Sequence, residues 1–342
     1  MAAPAPGPLA ADRERHADDP FAIAETFIRE ARISGDPGFY TLAESAAHCA
    51  LERTPAHAAA QELRIHLLIQ FHHFAEAEVA ARALVDTNDT WLTHALLGDA
   101  LMEQGKLDAA GETYQRAMDL RPGLAMYDRV GWLRWLWGDT EGAIEMQKLA
   151  VAAGNPGDPE PLAWALVRLG WLHALAGKPA PELDEALKLV PDYKPALFAL
   201  GRVRLHAGAA DAAVALRAAG PTVEAVRARA ELDPTASVEA VRSQDPRGYA
   251  CWLAERDPAA AVVLLTEEWK ERQDAVTQMA LAYARFRAGE DASADARSAL
   301  ATGIVEPRVL LQGGLILNDP ALLARAAASG PGLLPSERKL LR

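Results

Sequence analysis

The chain has 342 residues, of which 47 are acidic and 35 basic, for a formal charge of -12. A field of that sign repels nucleic-acid phosphates and anionic lipid, so neither is an expected partner. Half the residues are hydrophobic and 24% are charged, which is the balance of a folded, water-soluble protein and excludes wholesale disorder.

Residues 1–20 are rich in Ala and Pro and lack the basic start and apolar run of a signal peptide, so they read as a disordered tail. No stretch of about 18 apolar residues without charge follows, so no membrane span is expected and the cytoplasm is the expected location. Helical periodicity starts near Phe21. Leu42, Ala43, Ala50 and Pro55 fit the second helix of a helix pair, and Ala77, Ala81 and Leu84 fit another. From there a Gly recurs seven residues after a Gly in four successive places: Gly98 and Gly105, Gly131 and Gly138, Gly170 and Gly177, Gly201 and Gly208. The offsets of 33, 39 and 31 residues match a helix-turn-helix repeat of about 34.

In the best copy, Leu97, Gly98 and Leu101 share one face of a first helix, because they recur at three- and four-residue steps. Gly98 lets a second helix approach closely, and Gly105 ends the first helix in a left-handed turn. Ala110, Tyr114 and Ala117 form a small-large-small stripe on the second helix, and Pro122 stops the unit. With His94, these residues resemble the tetratricopeptide repeat. The next copies hold Val130-Gly131, Ala143 and Ala150, then Leu169-Gly170, then Leu200-Gly201 and Ala213. Lys178 to Val190 is short for a second helix, and Arg217 to Pro221 abandons the pattern. The expected fold is an all-α superhelical solenoid, with the repeat array over residues 21–218 and degenerate helical repeats with a C-terminal cap over 219–342.

In the C-terminal part, Leu281-Ala282, Gly289, Ala294 and Ala301 restore the spacing with Ala for the first Gly. Helices are predicted at Tyr249–Glu255, Pro258–Arg272, Pro307–Leu317 and Pro320–Ala328 from their Pro, Asp or Asn start signals. Arg272, Asp274, Thr277 and Leu281-Ala282 after an alanine-rich helix resemble bacterial tetratricopeptide-repeat proteins. That resemblance implies an interaction role and supplies no active site.

Chemistry-bearing motifs are missing. There is no H-E-x-x-H, paired C-x-x-C, G-x-S-x-G, phosphate-binding G-x-x-x-x-G-K or dinucleotide fingerprint. His48, His57, His66, His72 and His73 cluster in sequence, but no carboxylate joins them at a ligand spacing on the same helix, so they read as partly exposed structural residues. Cys49 and Cys251 read as small packing residues of a reducing compartment. No enzyme, metal or cofactor is therefore expected. The rival readings are an active site hidden in Thr235 to Gly303, where ionisable residues look dispersed, and a ligand-sensing regulator.

Five of the eight Trp residues, Trp132, Trp135, Trp137, Trp164 and Trp171, fall in two consecutive first helices. Turning about 100° per residue from the core-facing Gly collects one flank: Asp128, Trp132 and Trp135, then Trp164, Val167 and Trp171, then Phe198, Arg202 and Leu205. The resemblance implies that this flank lines a concave surface, with Arg129, Arg168 and Arg202 beside the aromatics. Two readings compete: a rigid partner-binding groove for a protein or peptide, and rings that fill gaps between irregularly spaced helices. Trp137 reads as packing. In some tetratricopeptide proteins, Lys and Asn on this face clamp acidic chaperone tails. Here those places hold Asp128, Trp132, Val167, Trp171, Phe198 and Arg202, so the clamp is absent.

Overall fold

A computed structural model describes residues 18–233, 235–243 and 245–341. Among them are twenty α-helices and no strand. Six antiparallel pairs come first: α1 (Pro20–Ser34) with α2 (Gly38–Arg53), α3 (Ala58–Gln70) with α4 (Phe74–Val85), α5 (Trp91–Glu103) with α6 (Leu107–Leu120), α7 (Leu124–Leu136) with α8 (Thr140–Ala152), α9 (Pro159–Leu175) with α10 (Glu182–Leu189), and α11 (Lys194–His206) with α12 (Ala212–Ala218). Residues 1–17 of the expected tail lie outside the described residues, and Pro20 is already helical.

The Gly-marked approach is physically tight. A Cβ built on Gly98 would lie 2.4 Å from the Tyr114 ring, on Gly170 2.9 Å from Leu183, and on Gly201 2.7 Å from Leu216. No side chain fits there without moving the second helix. Two residues past each first helix the backbone turns left-handed, at Gly105, Gly138, Gly177 and Gly208 with φ of 70 to 88°. In the second pair that position is His72, at φ 66°. A residue with a Cβ is strained there by roughly 1 kcal/mol.

Helix starts follow the local chemistry. Asp19, Thr90, Asp257, Asp274 and Asp319 each accept backbone N–H groups of the first turn. The C-terminal helices are α13 (Val223–Ala230), α14 (Pro246–Leu253), α15 (Pro258–Glu271), α16 (Ala275–Arg287), α17 (Ser293–Leu300), α18 (Pro307–Leu317), α19 (Pro320–Ala327) and α20 (Pro335–Lys339). The predicted boundaries of α15, α18 and α19 are met within one residue. However, α14 starts at Pro246, where Asp245 accepts the Gly248 N–H, three residues before the expected Tyr249.

The C-terminal part does not simply extend the array. It runs back along the turn edge of the earlier first helices. Arg272 Nη1 lies 2.8 Å from His72 Nε2, and Val305 N–H donates to Leu136 C=O at 3.0 Å. A Cβ on Gly105 would meet Thr302, and one on Gly330 would meet Ala174 C=O. Arg202 Nη2 donates to Pro331 C=O at 2.6 Å. Ala275, Met279, Ala296 and Val309 accordingly share one core with Leu97, Leu133 and Leu172. At the other end, Arg32 of α1 pairs with Glu160 of α9 at 2.9 Å. No helix among the described residues is long and apolar enough to cross a membrane.

Candidate interaction sites

The aromatic flank of α7, α9 and α11 forms one connected arrangement. Asp128 sits at its centre: its carboxylate accepts from Gln147 Nε2 at 3.0 Å and from Trp164 Nε1 at 3.3 Å. Gln147 is fully buried and occupies the large position of the stripe that Tyr114 fills one repeat earlier. The Arg168 guanidinium lies over the Trp132 ring at 3.9 Å and the Trp164 ring at 4.9 Å, and its Nε is 3.8 Å from Asp128. One cation thus ties two rings on neighbouring helices, a contact that strengthens as water is excluded. Arg202 lies over both Trp171 and Phe198 at 5.9 Å.

Exposure divides the eleven residues placed on or beside this flank. Asp128, Trp135, Val167, Arg202 and Leu205 are buried, whereas Arg129, Trp132, Trp164, Arg168, Trp171 and Phe198 are half-buried. Trp135 lies tilted against Trp132 with ring centroids 4.4 Å apart and belongs to the core. Arg129 grips Asp99 with two nitrogens at 2.9 Å, and Tyr114 donates its hydroxyl to the same carboxylate at 2.7 Å. Arg129 is therefore committed inside the solenoid. The outlier is Trp137. Expected to pack, it is 44% exposed, because it caps α7 and only its ring tip reaches Gly111.

Charged groups that look dispersed in sequence converge in space. Arg227 and Arg308 both reach Glu337 Oε1, at 3.1 and 2.9 Å, and both reach Glu224, at 3.0 and 3.3 Å. Burial pushes the Glu224 carboxyl up, but Arg308 and Arg227 outweigh it and hold it well below the carboxylate range. A second group forms around Asp274, which takes Arg272 at 2.7 Å and Arg247 at 3.5 Å. Facing it, Glu103 is pushed up to about 7 by burial and by the Asp274 charge. Sequence reasoning missed these clusters because their members are far apart along the chain, Arg227 and Glu337 by 110 residues. For the buried Asp128 a detectable signal was its partner Gln147, a polar residue on an otherwise apolar stripe.

The histidines do not converge. His57 accepts the Ala60 N–H as the start of α3, His72 meets Arg272, and His48 faces Glu52. His66 Nε2 is buried without a hydrogen-bond partner, and burial, with Arg32 nearby, lowers its pKa to about 4. Among the described residues, no three His, Cys, Asp or Glu side chains gather as metal ligands. Cys49, read as a packing residue, is instead exposed on α2; Cys251 is half-buried.

Stacked antiparallel helix pairs of this length define a helical-repeat solenoid, a class of protein-interaction scaffold. Residues 93–123 match the family model described as tetratricopeptide repeat, and they span nearly all of α5 and α6. No curated protein matches the chain. Among solved structures it is similar to the APC/C hetero-tetramer Cut9-Hcn1, with 15% identity, 96% of this chain and 56% of that chain covered, and a TM-score of 0.49. It is also similar to a monomeric mutant of IFIT1 with Gppp-AAAA, with 13% identity, 94% and 70% covered, and a TM-score of 0.47. A tetratricopeptide repeat protein from Parabacteroides merdae follows, with 11% identity, 86% and 99% covered, and a TM-score of 0.36. The chain thus spans little more than half the length of the first of these.

Proposed function

We propose that the chain is a non-catalytic cytoplasmic scaffold that takes a partner protein or peptide on the first-helix flank of α7, α9 and α11. The observation that carries this reading is the half-buried row Trp132, Trp164, Trp171 and Phe198, stiffened by Arg168 and Arg202 over its rings. Preorganised aromatic and guanidinium groups make binding hot spots, since little side-chain entropy is lost on contact. The partner would bring bulky apolar side chains and a carboxylate for Arg168, whose Nε lies 3.8 Å from Asp128, beyond hydrogen-bond reach. The acidic net charge favours protein over nucleic acid as that partner.

The test is a selection from a random peptide display library against the full chain, with titration of the enriched peptide into Trp132→Ala and Trp171→Ala. Each should weaken binding by about 2 kcal/mol or more, with less than the roughly 3 to 5 kcal/mol stability loss of a fully buried aromatic. A large stability loss, with binding intact in the folded fraction, would assign the rings to packing alone.

A further inference from the structure

The C-terminal part encloses a cavity of about 580 Å³ between α13, α14, α16, α18 and α20. That is within the size range of small-molecule sites. We propose that it binds a small heteroaromatic anion: a planar ring with a hydrogen-bonding edge and one carboxylate or phosphate group. This reading is independent of the peptide surface, since none of the residues lining the cavity belongs to the aromatic flank.

The charges of the wall are unevenly committed. Its carboxylates are all engaged: Glu337 by Arg227 and Arg308, Glu231 by Ser336, and Glu255 by Tyr283 and Arg287. Two further cations of the lining, Arg256 and Lys339, are exposed and have no carboxylate partner among the described residues. In a chain of formal charge -12, a lining with four cations, Arg227, Arg256, Arg308 and Lys339, against three carboxylates, Glu231, Glu255 and Glu337, is a local reversal of sign. It attracts an anion that the rest of the surface repels.

Gln312 points to the same conclusion from inside. It is only 6% exposed, yet its side chain makes no hydrogen bond with any described residue. It lines both the main cavity and an adjoining recess of about 50 Å³. Its amide atoms are not sealed from solvent, so they open on the cavity as a donor and an acceptor that no protein group occupies. The buried polar groups nearby, Arg202, Arg227 and Glu337, all have partners. A carboxamide offers a donor beside an acceptor, the complement of a lactam or nucleobase edge. Trp252 and Tyr283 add aromatic surface to the lining.

The experiment is calorimetric titration of the full chain with orotate, uridine monophosphate and adenosine monophosphate as anionic probes, and with uracil as the uncharged one. At least one anion should bind with a Kd below about 1 mM and uracil at least about tenfold more weakly. Orotate against the nucleotides tells carboxylate from phosphate. Gln312→Met and the double variant Arg256→Ala with Lys339→Ala should each weaken that binding about tenfold or more. Gln312→Met should leave the melting temperature of the unliganded protein nearly unchanged, since the amide has no protein partner to lose and the volume is similar. The proposal is overturned if no anion binds below about 1 mM, or if binding survives in both variants. It is equally overturned if Gln312→Met lowers the melting temperature and leaves affinity unchanged, which would make the amide a packing group.

Discussion

Placing a single methyl group at Gly98 probes the helix-pair contact at its tightest point. The Ala Cβ would stand 2.4 Å from Cε1 and 2.5 Å from Cδ1 of Tyr114. The ring has nowhere to retreat, because it is fully buried and its hydroxyl is held by Asp99, which also holds Arg129. Ala gains about 1 kcal/mol over Gly in a helix interior. Against this stand about 1 to 3 kcal/mol of overpacking and, if the ring swings away, about 1.5 to 3 kcal/mol for its hydrogen bond to a charged acceptor. Gly98→Ala should therefore destabilise by about 2 to 4 kcal/mol. The assay is chemical denaturation followed by helical dichroism, with hydrogen exchange of the α5 and α6 amides to localise the loss. Tyr114→Leu in the same chain should recover part of it by vacating the contested space. A Gly98→Ala protein as stable as the parent would show that helix propensity wins and that the close approach is not a constraint.

Other expectations concern charge and backbone. The folded pKa of His66 is lowered to about 4, so between pH 6.5 and 4 the unfolded chain binds a proton that the folded chain refuses. Stability should fall through that window by at most roughly 3 kcal/mol, and urea midpoints measured against pH should flatten in His66→Leu. Glu103 behaves oppositely. With its pKa raised to about 7, stability is lost as pH rises from about 4.5 through 7, so Glu103→Gln should be the more stable protein at pH 8, by up to roughly 3 kcal/mol in the same assay. At His72, held at φ 66°, both Gly and Ala remove the Arg272 contact, but Gly should melt higher by about 1 kcal/mol because it alone relieves the left-handed strain. Equal melting of those two variants would refute the strain.

The parts of the fold that were readable from sequence are those set by neighbours along the chain. Gly98, Gly131, Gly170 and Gly201 announce the close approaches, and Pro307 and Pro320 at the first helical positions fix where α18 and α19 begin. On the aromatic flank, rotation by residue groups Trp132, Trp164, Trp171 and Phe198, which Arg168 and Arg202 tie together in two pairs. It does not separate Trp132 from Trp135, because a ring at the margin is buried or exposed by how the next helix leans, not by its own position. Arg202 shows the same limit more sharply: its partner, Pro331, is 129 residues away, and no periodicity connects the two. The charged cavity fails to appear in sequence for that reason, being assembled from helices spread between α13 and α20.

The run of contacts from Arg272 to Pro331 along the earlier repeats has a mechanical consequence. A solenoid whose units touch only their neighbours has independent, additive elements and stretches like a spring. Here the Val305 link to Leu136 and the Pro331 link to Arg202 bridge coils that are far apart along the chain, as rivets would between turns of a spring. Pulled from its ends, the molecule should stay stiff until those rivets part, and then lengthen abruptly as the six N-terminal pairs are released to extend.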